Sequence, residues 1–422
     1  FQLCAAVLLG AGLVRAQSVP ALTLEQLIDI GLDNNSDIRI AERDLMGARA
    51  DRRGSFAGLV PSVNMSGSIN LEDLYSLGPV EFPAPALSSR ISLSQTLFDG
   101  ARSWYDARSG ATSVRSSIAS FESIQQQAVL TIKQAYYNLL SASELLEVAD
   151  EALALSRRQL ELVEERFRLQ AVKETDLLKA RVSMGQREAD RYQARQNVAT
   201  AMTSLNVAIG QEPSSPVNVA RDSLVLKPVP ERESALSSLR ANNPELKVRA
   251  LAVDQAWLRA KRQRGVMLPS VSVSYGGNYR ADELGDLFSS DNRITTSSLN
   301  ISLPLFSGLQ NTSRYSSERY NALAEEERFD GRMRDLKSQL ENTLSKLESL
   351  HSIHPIYQEV LASAEADVRL ANEQYNLGAI SILDLLDAQV SLITARSTLV
   401  RTTYDIKIAE AQLEALMGTI GQ

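Results

Sequence analysis

A chain of 422 residues has room for two or three ordinary domains. Its 44 Lys and Arg stand against 51 Asp and Glu, a net charge of −7, which excludes the concentrated basic face that general nucleic-acid binding requires. Aromatic residues make up only 5% of the chain, too few for an aromatic-rich core, and Ala, Leu, Ser, Arg, Glu and Gln supply the palette of long packed helices.

The chain opens with "FQLCAAVLLGAGLVRAQ", an apolar run that ends in Val14-Arg15-Ala16. Residues 1–16 read as the remnant of a signal peptide, with the mature chain starting near Gln17. Cys4, the one cysteine, falls inside that run, so the mature protein has neither disulfides nor thiolate metal sites. Nowhere else does an apolar stretch approach the ~18 residues of a spanning helix.

"TLEQ" at Thr23 has the form of a helix-start capping box, and the pair Asn34-Asn35 marks where a second short helix begins. Strand-like alternation follows. Val63, Met65, Ile69 and Leu71 alternate with Asn64, Ser66, Ser68 and Asn70; Ile91, Leu93 and Leu97 then face the other way from Ser92, Ser94 and Thr96. Period two over about ten residues suits a strand with one apolar and one wet face. From Gly100 to about Gln170 there is no proline, and apolar or small residues recur in steps of three and four from Ile132 to Phe167. That period predicts a very long helix in coiled-coil packing, with a returning helix behind it.

The same parts then recur. "LVPSVNMS" from Leu59 and "MLPSVSVS" from Met267 place Pro61 and Pro269 208 residues apart. At that offset Asn34-Asn35 meets Asn242-Asn243, "LFDG" from Leu97 meets "LFSG" from Leu305, and "TDLLKARVS" from Thr175 meets "LDLLDAQVS" from Leu383. A period this long reads as two copies of a whole half-structure, not as a solenoid unit. The first copy spans 17–209, with a strand pair at 61–98 and a helical hairpin at 100–209. The second spans 235–422, with a strand pair at 269–306 that includes Leu303 and Leu305, and a hairpin at 308–418. The Pro- and Ser-rich stretch 210–234 between them reads as a connector with one short strand, and Pro355 predicts a kink or break in the second long helix.

Two readings of the four strands stay open on the residues alone: a small sheet on a soluble core, or part of a membrane wall. The polar faces are Ser, Asn and Thr with hardly any Lys or Glu, unlike a solvent-facing sheet. Four strands cannot close a barrel, since the smallest membrane barrels use about eight. An apolar face in lipid therefore requires further copies to join the edges.

Taken together, the gapless repeat, the paired "PSV" strand starts, "LFDG" and "LFSG", and "YNLGAISILDLLDAQVSL" from Tyr375 resemble the TolC-like outer-membrane efflux protein family over essentially the whole mature chain. The resemblance implies an α+β membrane protein in which three chains build a twelve-stranded β-barrel, four strands from each, continued across the periplasm by a coiled-coil α-helical barrel. It implies an exit duct for drug efflux or type I secretion, a homotrimer that meets outer-membrane lipid, a periplasmic adaptor and an inner-membrane transporter. No cofactor, metal, catalytic step or nucleic-acid partner is expected.

The resemblance also marks residues. Asp384 and Asp387 match inward-facing aspartates that close the periplasmic tip, while Thr175 and Asp176 match the gate segment of the first hairpin, and Tyr375 an aromatic beside it. Spacing i, i+3 puts the two aspartates on one helix face. A simpler reading of Asp384 stands beside this one: Ser381-Ile382-Leu383-Asp384 has the form of a capping box. Ile380 stands where some relatives have a gate-linking arginine, and Lys179, at the repeat position of Asp387, is a candidate for neutralising part of an acidic ring. Gly378 reads as a helix-ending glycine at the second hairpin tip, whereas Gln170 at the matching position leaves the first turn open. Both tips are candidate adaptor-docking surfaces on family grounds. Trp104 reads as an interfacial anchor or ordinary packing, and Trp257 as core. His351 and His354, spaced i, i+3, lack accompanying carboxylates. The loops 72–88 and 281–296 are expected on the outside. A periplasmic coiled-coil adaptor or scaffold without a barrel is the alternative.

Overall fold

The computed structural model describes residues 21–70, 86–221, 224–281 and 293–421. The expected leader and most of both outer loops therefore lie outside the described residues. Helices α1 (Leu24–Asn34) and α2 (Ser36–Gly54) precede strands β1 (Ser62–Asn70) and β2 (Ala86–Phe98), and α3 (Arg102–Arg168) and α4 (Glu174–Ala208) follow. The order then repeats as α5 (Arg232–Asn242), α6 (Pro244–Gly265), β3 (Ser270–Ala281), β4 (Arg293–Ser302), α7 (Gln310–Asn376) and α8 (Ile382–Met417). Among the described residues no helix is long and apolar enough to cross a membrane.

Local chemistry explains the boundaries. The Thr23 hydroxyl accepts from the Gln26 amide while the Thr23 amide donates to Gln26 Oε1 at 3.0 Å, a complete capping box. Asn243 Oδ1 accepts from the Leu246 amide at 3.0 Å, with Pro244 as the first helical residue. In "LFDG" Asp99 accepts from the amide and hydroxyl of Ser103 at 2.9 and 2.6 Å. Ser307 in "LFSG" holds the corresponding place, accepting from the Asn311 amide. Four helix ends share one hydrogen-bond pattern, a left-handed residue at Gln170, Gly210, Gly378 or Gly418 followed by an amide that reaches five residues back.

The four strands form one antiparallel sheet in the order β1-β2-β3-β4. Its register groups Val63, Leu93 and Tyr275 on one face, along with Met65 and Ile91, and Val273 with Leu299. The other face carries Ser62, Ser94, Ser274 and Ser298 in a row, in which Ser62 and Ser94 hydroxyls lie 2.8 Å apart and those of Ser274 and Ser298 2.6 Å apart. Val63 is 69% exposed and Ile301 70%, so these apolar side chains have no cover among the described residues. The expected strand ends differ in one place. β4 stops at Ser302, leaving Leu303 and Leu305 outside, because Pro304 lacks the amide that a ladder needs.

The described residues cluster into two compact units, and each draws on both halves of the sequence: residues 21–35, 128–229 and 345–412 form one, and 36–127, 230–344 and 413–421 the other. In the first, Leu27, Ile132, Tyr136, Leu139, Leu205 and Ile209 pack together almost without exposure. Each such side chain contributes about 1.5–3 kcal/mol. Within this unit Arg181–Glu164 and Arg191–Asp150 ion pairs join α3 to α4 in antiparallel register. The connector contains no strand among its described residues; a single bridge pairs Leu22 with Val219. Instead Lys407 and Glu410 of α8 hold it, with Lys407 donating to the Val225 carbonyl and Glu410 accepting from the Lys227 amide at 2.8 Å. These two side chains are only 8% exposed and pair with each other at 2.9 Å.

Helix α7 is continuous through Pro355, so of the expected kink or break the break does not occur. Loss of one amide costs about 3 kcal/mol, but the ring lies on the exposed side, and Leu347 and Ala364 are buried on either side of it. His354, on the seam as expected, pairs with Thr403 at 3.2 Å. Burial, and then the neighbouring His351, pushes its pKa below the usual histidine value. Trp257 is only partly buried rather than core, because its indole N–H reaches out to Glu326 at 2.8 Å. Trp104 is half-exposed, edge-on to Tyr105 with Arg108 over its ring.

Candidate functional site

The ends of both hairpins share one small core. Val163 from α3, Leu177 and Ala180 from α4, Val368, Ala371 and Tyr375 from α7, and Ile382, Leu385 and Ala388 from α8 are all buried together. Their three- and four-residue spacings follow directly from the helical stripe, and they fix where the polar residues around them point.

The two turns adopt the same path. Gln170 (φ 56°) and Gly378 (φ 73°) are both left-handed. The Gln170 amide bonds the Phe167 carbonyl at 2.9 Å, and the next amide bonds Arg166 at 2.8 Å. Gly378 and Ala379 repeat this with Tyr375 and Gln374 at 3.1 and 2.8 Å. The open question at the first tip is thereby answered: glutamine takes the glycine conformation, at a steric cost that glycine escapes.

Arg166, in the last turn of α3, links the hairpins. Its guanidinium carbon lies 5.1 Å from the centroid of the Tyr375 ring, and Nη2 donates to Asn376 Oδ1 at 3.1 Å. The Tyr375 hydroxyl is buried and, among the described residues, makes no hydrogen bond of good geometry, although Arg166 approaches it. Burial pushes its pKa above the usual tyrosine value, Arg166's charge opposes that shift, and Asp176 adds to it. Arg166 was invisible to sequence reasoning; its one signal was that a cation suits the last turn of a helix.

Asp384 caps α8. Its Oδ2 accepts from the Ser381 amide at 2.9 Å and hydroxyl at 2.7 Å, and these bonds hold its pKa below the usual carboxylate value. The capping reading thus describes its contacts within one chain. Asp387, one turn on, is exposed, as are Thr175 and Lys179, and none of these three side chains has a polar partner among the described residues. The structure therefore sets Tyr375 against Arg166 and within electrostatic reach of Asp176, and ties Asp384 to its own helix start. Asp387, Thr175 and Lys179 are left facing outwards from the chain.

The family described as outer membrane efflux protein matches residues 27–211 and again 235–419. The outer membrane protein TolC of Escherichia coli (strain K12) is 22% identical over 91% of this chain and 81% of its own length. Protein CyaE of Bordetella pertussis is 23% identical, covering 96% and 86%. Among solved structures, CusC superposes with a TM-score of 0.85 over 95% of this chain and 93% of its own at 21% identity. The Campylobacter jejuni CmeC outer membrane channel gives 0.85 over 94% and 85% at 18% identity. With both matched segments together spanning most of its length, this chain belongs to the outer membrane efflux protein family.

Proposed function

We propose that three copies of this chain form the outer-membrane exit duct of a tripartite efflux pump or a type I secretion system, passing solutes from the periplasm or an inner-membrane transporter to the outside without catalysing any step. One observation carries the reading: the sheet has an apolar face left uncovered by the described residues, a hydroxyl-lined opposite face, and borders at β1 and β4. Lipid tolerates such a sheet only when its borders are paired, and three four-stranded sheets give the closed wall that one cannot. The curated relatives and the solved channels of the same fold support this assembly. Helices α3 and α7, 67 residues each, continue the duct as a helical barrel.

In this assembly the hairpin tips form the gate. Asp384 and Asp387 line its throat as rings of carboxylates, with Thr175, Asp176 and Tyr375 beside them and Lys179 reducing the ring's charge. The turns at Gln170 and Gly378 face the adaptor. Replacing Lys179 by Ala is then expected to strengthen block by divalent cations in planar bilayers.

Fractionation tests the duct itself. The protein should stay with outer membranes through a carbonate wash and migrate as a cross-linkable trimer in detergent. Release as a soluble monomer would overturn the reading in favour of a periplasmic scaffold.

A further inference from the structure

The charges on the sheet are few and of one sign. Among the described strand residues the charged side chains are Arg90, Arg280 and Arg293, and none is acidic. Register separates them. Arg90 pairs across the ladders with Ser66 and Asn278, and Arg280 with Ser88, which puts both on the hydroxyl-lined face in adjacent rows. Arg293 pairs with Tyr279 on the other face. Arg90 Nε donates to Asn278 Oδ1, so its guanidinium is held along the polar face instead of turning away. Both arginines are exposed, and neither forms an ion pair among the described residues. Both also sit in the half of the strands nearest the β1–β2 and β3–β4 connections.

We propose that Arg90 and Arg280 form an anion-selecting belt on the wet face of the barrel, so that the duct favours solutes bearing carboxylate, sulfonate or phosphate groups. The inference rests on the closed trimeric wall proposed above. In that wall the belt carries two guanidinium groups from every chain, and the other polar groups of the described strand residues on this face are neutral hydroxyls and amides. A neutral wall discriminates little by charge. Fixed cations in a wet lumen enclosed by lipid concentrate the field and raise the local density of anions. Guanidinium is suited to the role because it stays charged at every working pH and grips planar oxyanions with two parallel hydrogen bonds. The preference is therefore insensitive to pH but weakens as salt shortens the reach of the field. The tip carboxylates act in series with the belt and in the opposite sense, so its contribution is read as a difference between variants.

The test uses the full chain reconstituted as trimers in planar bilayers under a KCl gradient at low salt. In the variant Arg90→Ser with Arg280→Ser, the ratio of chloride to potassium permeability should fall about tenfold. Inorganic pyrophosphate added from the loop side should block the wild type and spare this variant. Because Arg90 also holds Asn278, Arg280→Ser alone serves as a gentler variant and should shift selectivity in the same direction by less. Arg293→Ser, on the opposite face, should shift nothing. Channels of normal conductance whose reversal potential and pyrophosphate block are unmoved by either lumen variant would sink the belt while leaving the duct intact. A wild-type protein that forms no channels at all overturns the duct and the belt together.

Discussion

Arg166 of the first hairpin lies over the ring of Tyr375 in the second, 5.1 Å from its centroid, and donates to the adjacent Asn376. This contact ties the two hairpin tips together within one chain. A cation over an aromatic face contributes about 0.5–1 kcal/mol where partly solvated. Arg166→Ala should therefore loosen the tips, raising time-averaged conductance in bilayers by roughly two- to fivefold. Tyr375→Phe removes a buried hydroxyl that makes no hydrogen bond of good geometry among the described residues and keeps the ring, so it should leave conductance unchanged and stability equal or higher by about 1 kcal/mol. Equal loosening by both substitutions would show that the hydroxyl, not the ring face, makes the contact.

Gln170 sits where its counterpart Gly378 escapes a steric conflict, with φ near 56°. Gln170→Gly should stabilise the first tip by roughly 0.5–1 kcal/mol, since the left-handed strain exceeds the entropy that glycine adds to the unfolded chain. Slower proteolysis of the tip in limited digests is the readout. Faster cleavage would mean that the glutamine side chain supplies a contact worth more than the strain.

Asp384 gives the α8 start a pH dependence of definite sign. Its folded pKa is depressed by the Ser381 bonds, so the cap is at full strength above the ordinary carboxylate value and is lost as pH falls through the lower folded value. Hydrogen exchange at Ile382 to Leu385 should quicken on acidification through that window. In Asp384→Asn the same amides should already exchange faster at neutral pH, with little further change on acidification.

The pair Lys407 and Glu410 holds the connector from a buried position. Glu410→Gln leaves a buried ammonium without its counter-charge and should cost about 3–5 kcal/mol, lowering the thermal midpoint. Converting both partners to Met should recover most of that loss. If the double variant is as unstable as the single one, the anchoring bonds to Val225 and Lys227 matter more than the charges.

How much of this was readable from sequence depends on how far apart the interacting residues lie. The Thr23 cap, the Asp384 cap and the Ser face of β1 arise within a few positions or from strict alternation, so local reading finds them. Arg166 and Asn376 are 210 positions apart, and no spacing rule connects them. At Pro355 the local penalty predicts a kink or a break, and packing along the helix keeps α7 continuous. Trp257 shows the same limit, because its indole follows Glu326 of α7 outwards and not the apolar preference of its type.

Consider finally the unpaired margins at β1 and β4. If the wall closes only when β1 of one subunit meets β4 of the next, each polypeptide leaves its ribosome with its barrel unfinished, and insertion and oligomerisation become a single event. A mutant copy with one spoiled margin would then ruin every complex it enters, so such alleles should be genetically dominant even though they touch neither the cargo nor the pump.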